Sequence, residues 1–156
     1  MAAYAREAGK RREGAGADPG RAGKGLKLGP QDDIVNGGPE LVRGGKVAVN
    51  YAADGIERAG DRSFAYTWGI KRNPRMLIGV DRQGRMLLVG ADGRQPGYSD
   101  GFGLNEGAEL MKSLGAVRAM ALDGGGSVTM AVNGKVINSP SDGTERAVGD
   151  ALLLTR

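Results

Sequence analysis

Asp123 stands at the end of an apolar run and is followed by Gly124, Gly125 and Gly126, then by Ser127 and Thr129. A carboxylate, three residues without a β-carbon and two hydroxyls make a plausible site for a sugar or a phosphate ester. Glycine permits positive φ and lets a ligand approach the main chain. Successive free N–H groups in such a turn can form an anion-binding concavity. The same stretch also reads as a tight turn between two strands, with Asp123 solvated at its tip.

A second carboxylate, Asp92, follows the run Arg85-Met86-Leu87-Leu88-Val89, with Arg94 just beyond. If the strands leading to Asp92 and Asp123 are sheet neighbours, both acids reach one rim. Two carboxylates at a suitable separation share the acid and base roles of glycosidic cleavage. The plainer alternative is a turn held by an Asp–Arg pair. The chain contains no histidine and no cysteine. His-based triads, His- or Cys-ligated zinc, disulfides and cysteine nucleophiles are therefore excluded. Chemistry falls to carboxylates, hydroxyls, Lys, Arg, Tyr, backbone amides or an oxygen-ligated metal. The sequence requires no cofactor. The acids could hold Ca²⁺ through oxygen, but no metal motif is complete.

The elements that must position these groups are mostly strands. Glycine accounts for 29 of 156 residues, which favours strands and turns over a helical bundle. Glu40–Arg43 and Lys46–Val49 flank Gly44-Gly45, a two-residue hairpin signal. Met76–Val80 and Arg85–Val89 flank a turn at 81–84, and Asn133-Gly134 joins Val128–Val132 to Lys135–Asn138 through a type I′ signal. On that last hairpin, strand alternation puts Ser127 and Thr129 on one face and Val128, Met130 and Val132 on the other. Ala151–Leu154 suits a strand buried on both faces.

One helix is expected. Asn105 serves as its N-cap, with Glu106 and Glu109 near the positive end, Lys112 in the last turn and Gly115 as terminator. Leu104, Ala108, Met111 and Leu114 form its apolar face. Phe64, Tyr66 and Trp68 alternate ahead of Lys71 and Arg72, a pattern suited to a core strand or to a wall that binds sugars or bases. The fold class expected is α+β, a mixed, largely antiparallel sheet with one main helix.

Residues 1–28 hold seven Lys or Arg against three Asp or Glu, which accounts for the whole net charge of +4. With few large apolar residues, this segment cannot bury enough surface to fold alone. A disordered basic tail over 1–29 and a folded domain over 30–156 are expected, and nucleic acid is not expected as a partner. No apolar run is long enough for a transmembrane helix, and the N-terminus lacks the apolar stretch of a secretory signal.

Asn73-Pro74-Arg75, Ile78-Gly79-Val80, Asp92-Gly93-Arg94, Leu110-Met111-Lys112-Ser113-Leu114-Gly115-Ala116, Leu122-Asp123-Gly124-Gly125-Gly126-Ser127, Asn133-Gly134 and Glu145-Arg146 occur in this order. The ordered set, running from about Ile34 to the C-terminus, resembles phosphodiester glycosidase domains of the uncovering-enzyme type. That family also includes many bacterial exopolysaccharide proteins. The resemblance implies hydrolysis of a glycosyl-1-phosphodiester or related glycosidic linkage, with Asp123 and then Asp92 as catalytic carboxylates. It implies that Arg75, Arg94 and Arg146 hold the phosphodiester, because guanidinium forks match phosphate oxygens. Gly124, Gly125 and Gly126 would supply N–H groups, and Ser127 and Thr129 hydroxyls, to a carbohydrate or sugar-phosphate ligand. A secreted or envelope setting is implied as well. The alternative is a non-catalytic sugar-binding or envelope-polysaccharide-associated module with the same fold.

The chain departs from the family pattern in three places. Nothing matches the Asn-Gly-Gly-Phe-Phe of an earlier β-rich portion, so the chain is expected to be the C-terminal part of such a domain. Ala121 stands where Asn is common, and Met76 where Thr is usual. Residues two apart on a strand share a face, so Ala121 is expected to point with Asp123 into the site. Ala121→Asn is accordingly expected to raise affinity or turnover.

Overall fold

The computed structural model describes residues 2–6, 33–149 and 151–154. Strand β1 (Ala2–Arg6) pairs antiparallel with β2 (Asp33–Gly37). Part of the expected tail is thus in a ladder, which its composition did not suggest. The rest of the tail lies outside the described residues.

Next come β3 (Glu40–Arg43), β4 (Lys46–Val47), helix α1 (Arg62–Ala65) and a π-helical turn at Tyr66–Ile70. They are followed by β5 (Arg75–Asp81), β6 (Met86–Ala91), helix α2 (Leu104–Ser113) and β7 (Ala116–Ala121). A 3₁₀ turn at Gly125–Ser127 and the short strands β8 (Ala131–Val132) and β9 (Lys135–Val136) complete the order. One five-stranded sheet, β4-β3-β7-β5-β6, organises the molecule, and each of its pairings is antiparallel. The α+β class holds.

Local turn chemistry sets the hairpins. Gly44 and Gly45 have φ of +57° and +74°, and Asn133 and Gly134 of +51° and +72°, the left-handed values that a type I′ turn requires. At the β5–β6 turn the buried Asp81 carboxylate accepts from the N–H groups of Gln83 and Arg85, each at 2.9 Å. Helix α2 covers one sheet face. Leu104, Ala108 and Met111 pack there with Leu41, Val42, Leu77, Ala119 and Ala121, all nearly or fully excluded from solvent.

Four sequence expectations change. Helix α2 starts two residues earlier, with Gly103 rather than Asn105 as N-cap, because Glu106 reaches back to accept from the Gly103 N–H at 2.9 Å. The Arg72 guanidinium, hydrogen-bonded to Glu106, and that same N–H hold its carboxyl below the usual range. Leu114 is the C-cap and is exposed, so it leaves the apolar stripe. The aromatic alternation at 64–68 is helical. Phe64 and Trp68 are one turn apart and stacked, with ring centroids at 6.0 Å; positions four apart share a face in a strand and in a helix alike. Ala151–Leu154 forms no strand, and Leu153 and Leu154 are exposed. Among the described residues no strand is paired with that run, and a lone apolar strand has nothing to hold its backbone groups.

Three glycines surround Asn73 and Pro74. A β-carbon on Gly93 would lie 2.6 Å from the Pro74 nitrogen, one on Gly124 2.8 Å from the Pro74 carbonyl oxygen, and one on Gly101 against the Asn73 carbonyl. Gly101 also has φ +85°. Gly101→Ala is expected to cost about 3 kcal/mol, from backbone overpacking and a left-handed conformation. Chemical denaturation reads this directly, and an unchanged midpoint would contradict the packing.

Candidate functional site

Asn73, Pro74 and Arg75 lead into β5 beside the π-helical turn. That turn ends with carbonyls lacking intrahelical partners, and two side chains supply donors. Asn73 Nδ2 donates to the carbonyls of Thr67 (3.1 Å) and Lys71 (3.0 Å). Arg75 donates to the carbonyls of Phe102 (2.9 Å), Trp68 (2.6 Å) and Lys71 (3.3 Å). A cation at a helix C-terminus is favoured by the helix dipole. Arg75 is only 4 % exposed, and among the described residues no carboxylate pairs with it. Burial lowers its pKa; the neighbouring Tyr51 opposes that and Arg94 adds to it. A buried charge held by carbonyl dipoles alone leaves positive potential for an anion.

Strand β7 ends at Ala121 and delivers the glycine turn to the same place. The Leu122 N–H donates to the Met76 carbonyl at 2.7 Å and the Gly125 N–H to the Pro74 carbonyl at 3.0 Å. The Gly124 N–H donates to Asp123 Oδ1 at 2.8 Å. Two of the three glycine amides are therefore engaged inside the protein. The Gly126 N–H, on a buried residue, has no protein acceptor among the described residues. Gly125 takes φ +64°, and a β-carbon there would sit 3.2 Å from the Arg94 guanidinium. On Gly126 it would strike Asp142 and Arg146. Three consecutive glycines are needed because backbone, guanidinium and ion pair crowd the turn from three sides.

Arg94 has φ +58°, a conformation non-glycine residues rarely hold unless the surroundings enforce it. Its Nε donates to Asn73 Oδ1 at 3.0 Å. Arg146 donates from Nε and Nη2 to Asp142 Oδ2 at 3.0 and 2.5 Å. Together these groups line a cavity of about 190 Å³, with Thr67, Trp68, Asn73, Arg75, Arg94, Asp123, the three glycines and Arg146 on its walls. Asp123 is solvent-exposed at the site. A wider depression of about 330 Å³ lies beside the β5–β6 turn and the end of α2. It holds no candidate residue, and its Arg85 and Lys112 are already paired with Asp81 and Glu109.

The structure thus gathers Asp123, Gly124, Gly125, Gly126, Arg75, Arg94 and Arg146. It does not bring Asp92 in. Both Asp92 oxygens are occupied elsewhere, accepting from Asn138 Nδ2 (2.9 Å), the Ser139 N–H (2.9 Å) and the Tyr98 hydroxyl (3.0 Å). That carboxylate fastens the segment at 138–139 to the end of β6. It forms no ion pair with Arg94, so the Asp–Arg turn is also not what is found. Ser127 and Thr129 do not line the cavity, because 125–127 is a 3₁₀ turn and strand β8 begins only at Ala131. Among the described residues no group of three carboxylates is placed to hold a metal ion such as Ca²⁺.

Ala121 departs from expectation as well. It lies within the apolar cluster under α2, 2 % exposed, and the chain leaves β7 after it, so strand alternation does not carry through to Asp123. Ala121→Asn is expected to bury an unpaired amide at a cost of ~1–3 kcal/mol, with no gain in ligand affinity. A thermal melt with a binding titration checks both. Sequence reasoning missed Asn73, Thr67 and Asp142, while Trp68 belongs to the aromatic stretch read as a core strand or a sugar-binding wall. Asp142 alone left a local signal, standing four residues before Arg146.

Comparison with known proteins identifies the family. The family model described as phosphodiester glycosidase matches residues 9–155. The chain is 33 % identical over 115 residues to mouse N-acetylglucosamine-1-phosphodiester alpha-N-acetylglucosaminidase, covering 72 % of this chain and 22 % of that protein. It is 42 % identical over 84 residues to the SPbeta prophage-derived protein YomE of Bacillus subtilis (strain 168), covering 54 % of this chain and 13 % of that one. Among solved structures it resembles the pro-peptide-inhibited catalytic domain of the zebrafish N-acetylglucosamine-1-phosphodiester alpha-N-acetylglucosaminidase. There the TM-score is 0.57 at 27 % identity, over 69 % of this chain and 35 % of that one. The chain therefore spans 13 % to 22 % of the length of the curated relatives it matches. This chain belongs to the phosphodiester glycosidase family.

Proposed function

We propose that the cavity binds a glycosyl-1-phosphodiester and that Asp123 acts in its hydrolysis at the glycosidic carbon. The observation that carries this reading is Arg75, a buried guanidinium without a carboxylate among the described residues, facing the same cavity as Arg94. Guanidinium groups bind phosphate oxygens in fork geometry, and the Gly126 N–H adds a donor.

Glycosidases acting on ordinary glycosides use two carboxylates because the leaving alcohol must be protonated. Here Asp123 is the one carboxylate on the cavity wall among the described residues. That suits a leaving group that departs already stable as an anion. In this reading water supplies the hydroxyl at the sugar carbon, the C–O bond to phosphate breaks, and the electron pair leaves on a phosphate monoester. Arg75 and Arg94 stabilise the charge that develops there, as preorganised donors do in other enzymes. Asp123 takes the proton from water or attacks the sugar carbon itself; its link to the Gly124 N–H fixes its orientation.

A panel of glycosyl-1-phosphodiesters incubated in ¹⁸O-water tests the reading. Release of free sugar carrying the label is expected. Label in the phosphate product would place cleavage at P–O and contradict attack at carbon. A purely sugar-binding module, with the same contacts and no turnover, would bind the panel and release nothing.

A further inference from the structure

We propose that the indole of Trp68 is the stacking platform for the pyranose ring attached to the bound phosphate; this rests on the anion-binding reading of the same cavity. Trp68 lines the cavity and yet remains 43 % exposed. An indole left open to water has lost the usual reason for its burial, and this one is held firmly in place. Its ring stacks on Phe64 with planes 25° apart. The Arg58 guanidinium lies 3.5 Å from the Phe64 ring centroid, a cation–π contact that holds Phe64 in turn. Trp68 also sits in the π-helical turn, a geometry frequent at functional sites.

The main chain links platform and anion site. The Trp68 carbonyl accepts from Arg75 Nη2 at 2.6 Å, so the residue bearing the indole is tied to the guanidinium that faces the phosphate. A ring bonded directly to that phosphate is the part of the ligand next to the residue that carries the indole. The C–H face of a pyranose is apolar, and an aromatic face receives it while its hydroxyls stay solvated. A nucleobase would stand a full ribose further from its phosphate.

Trp68 is the chain's single tryptophan, so intrinsic emission excited at the red edge reports this side chain alone. Titration with a glycosyl-1-phosphodiester is expected to change that emission saturably, whereas inorganic phosphate is expected to bind, by calorimetry, with little emission change. Trp68→Ala should weaken the sugar phosphodiester about tenfold and Trp68→Phe by less than half of that on a logarithmic scale, both leaving phosphate affinity unchanged. Equal affinity of wild type and Trp68→Ala for the sugar phosphodiester would overturn the platform. So would a nucleoside monophosphate that changes emission while the sugar phosphodiester does not. Wild type that ignores inorganic phosphate but shows a saturable sugar-dependent emission change would uphold the platform and refute the anion reading instead.

Discussion

Asp123→Asn is expected to lower hydrolysis of a glycosyl-1-phosphodiester by ~10²–10⁴-fold or more, the range for loss of an acid–base group or nucleophile, with an unchanged thermal midpoint. The side chain is exposed, and its one internal contact is acceptance from the Gly124 N–H. An asparagine oxygen accepts that bond equally well, so the turn keeps its shape while the negative charge is gone. Turnover and melting measured on one preparation check this. Undiminished turnover would make Asp123 a turn residue, and a collapsed midpoint would make it structural.

Arg75→Met should have the second largest effect, and it acts on stability and binding together. Three carbonyls, of Trp68, Lys71 and Phe102, lose their shared donor. The Lys71 and Phe102 carbonyls keep donors on Asn73, so the Trp68 carbonyl is the one left unsatisfied, at an expected cost of about 1–3 kcal/mol. Anion linkage separates this from the site itself. A bound ligand at 100 times its Kd stabilises a protein by about 2.7 kcal/mol. Phosphate or a sugar phosphodiester should therefore raise the midpoint of the wild type and leave that of Arg75→Met where it is. An equal rise in both would remove Arg75 from the binding site.

Where local chemistry decides the structure, the sequence was readable. Gly44-Gly45 and Asn133-Gly134 force their turns, and the apolar runs on either side can only be strands. Asp123 at the end of a strand, ahead of three glycines, was legible for the same reason. The start of α2 was half legible: Glu106 was recognisable as a first-turn acid, but its reach back to Gly103 was not. Phe64 and Trp68 fit a strand and a helix equally, and the choice was made by Arg75 and Asn73 accepting the job of capping the turn's carbonyls. Asp92 was misassigned because its partners Asn138 and Ser139 lie more than forty positions away, where no local pattern points. Arg75 as a phosphate ligand came through family resemblance. Its isolation from every described carboxylate is a property of the folded chain alone.

Arg94 offers the cleanest route to the anion site, because it is exposed and its backbone already favours glycine at φ +58°. Arg94→Gly relieves that strain, offsets the lost bond to Asn73, and is expected to leave the midpoint nearly unchanged. The decisive measurement is calorimetric affinity for a glycosyl-1-phosphodiester and for the matching uncharged alkyl glycoside, in wild type and in Arg94→Gly. Wild type should prefer the phosphodiester by about tenfold or more, the worth of one charge-assisted hydrogen bond, and the variant should lose most of that preference. Equal binding of the charged and uncharged ligands by the wild type, or an undiminished preference in the variant, would contradict an anion site at Arg75 and Arg94.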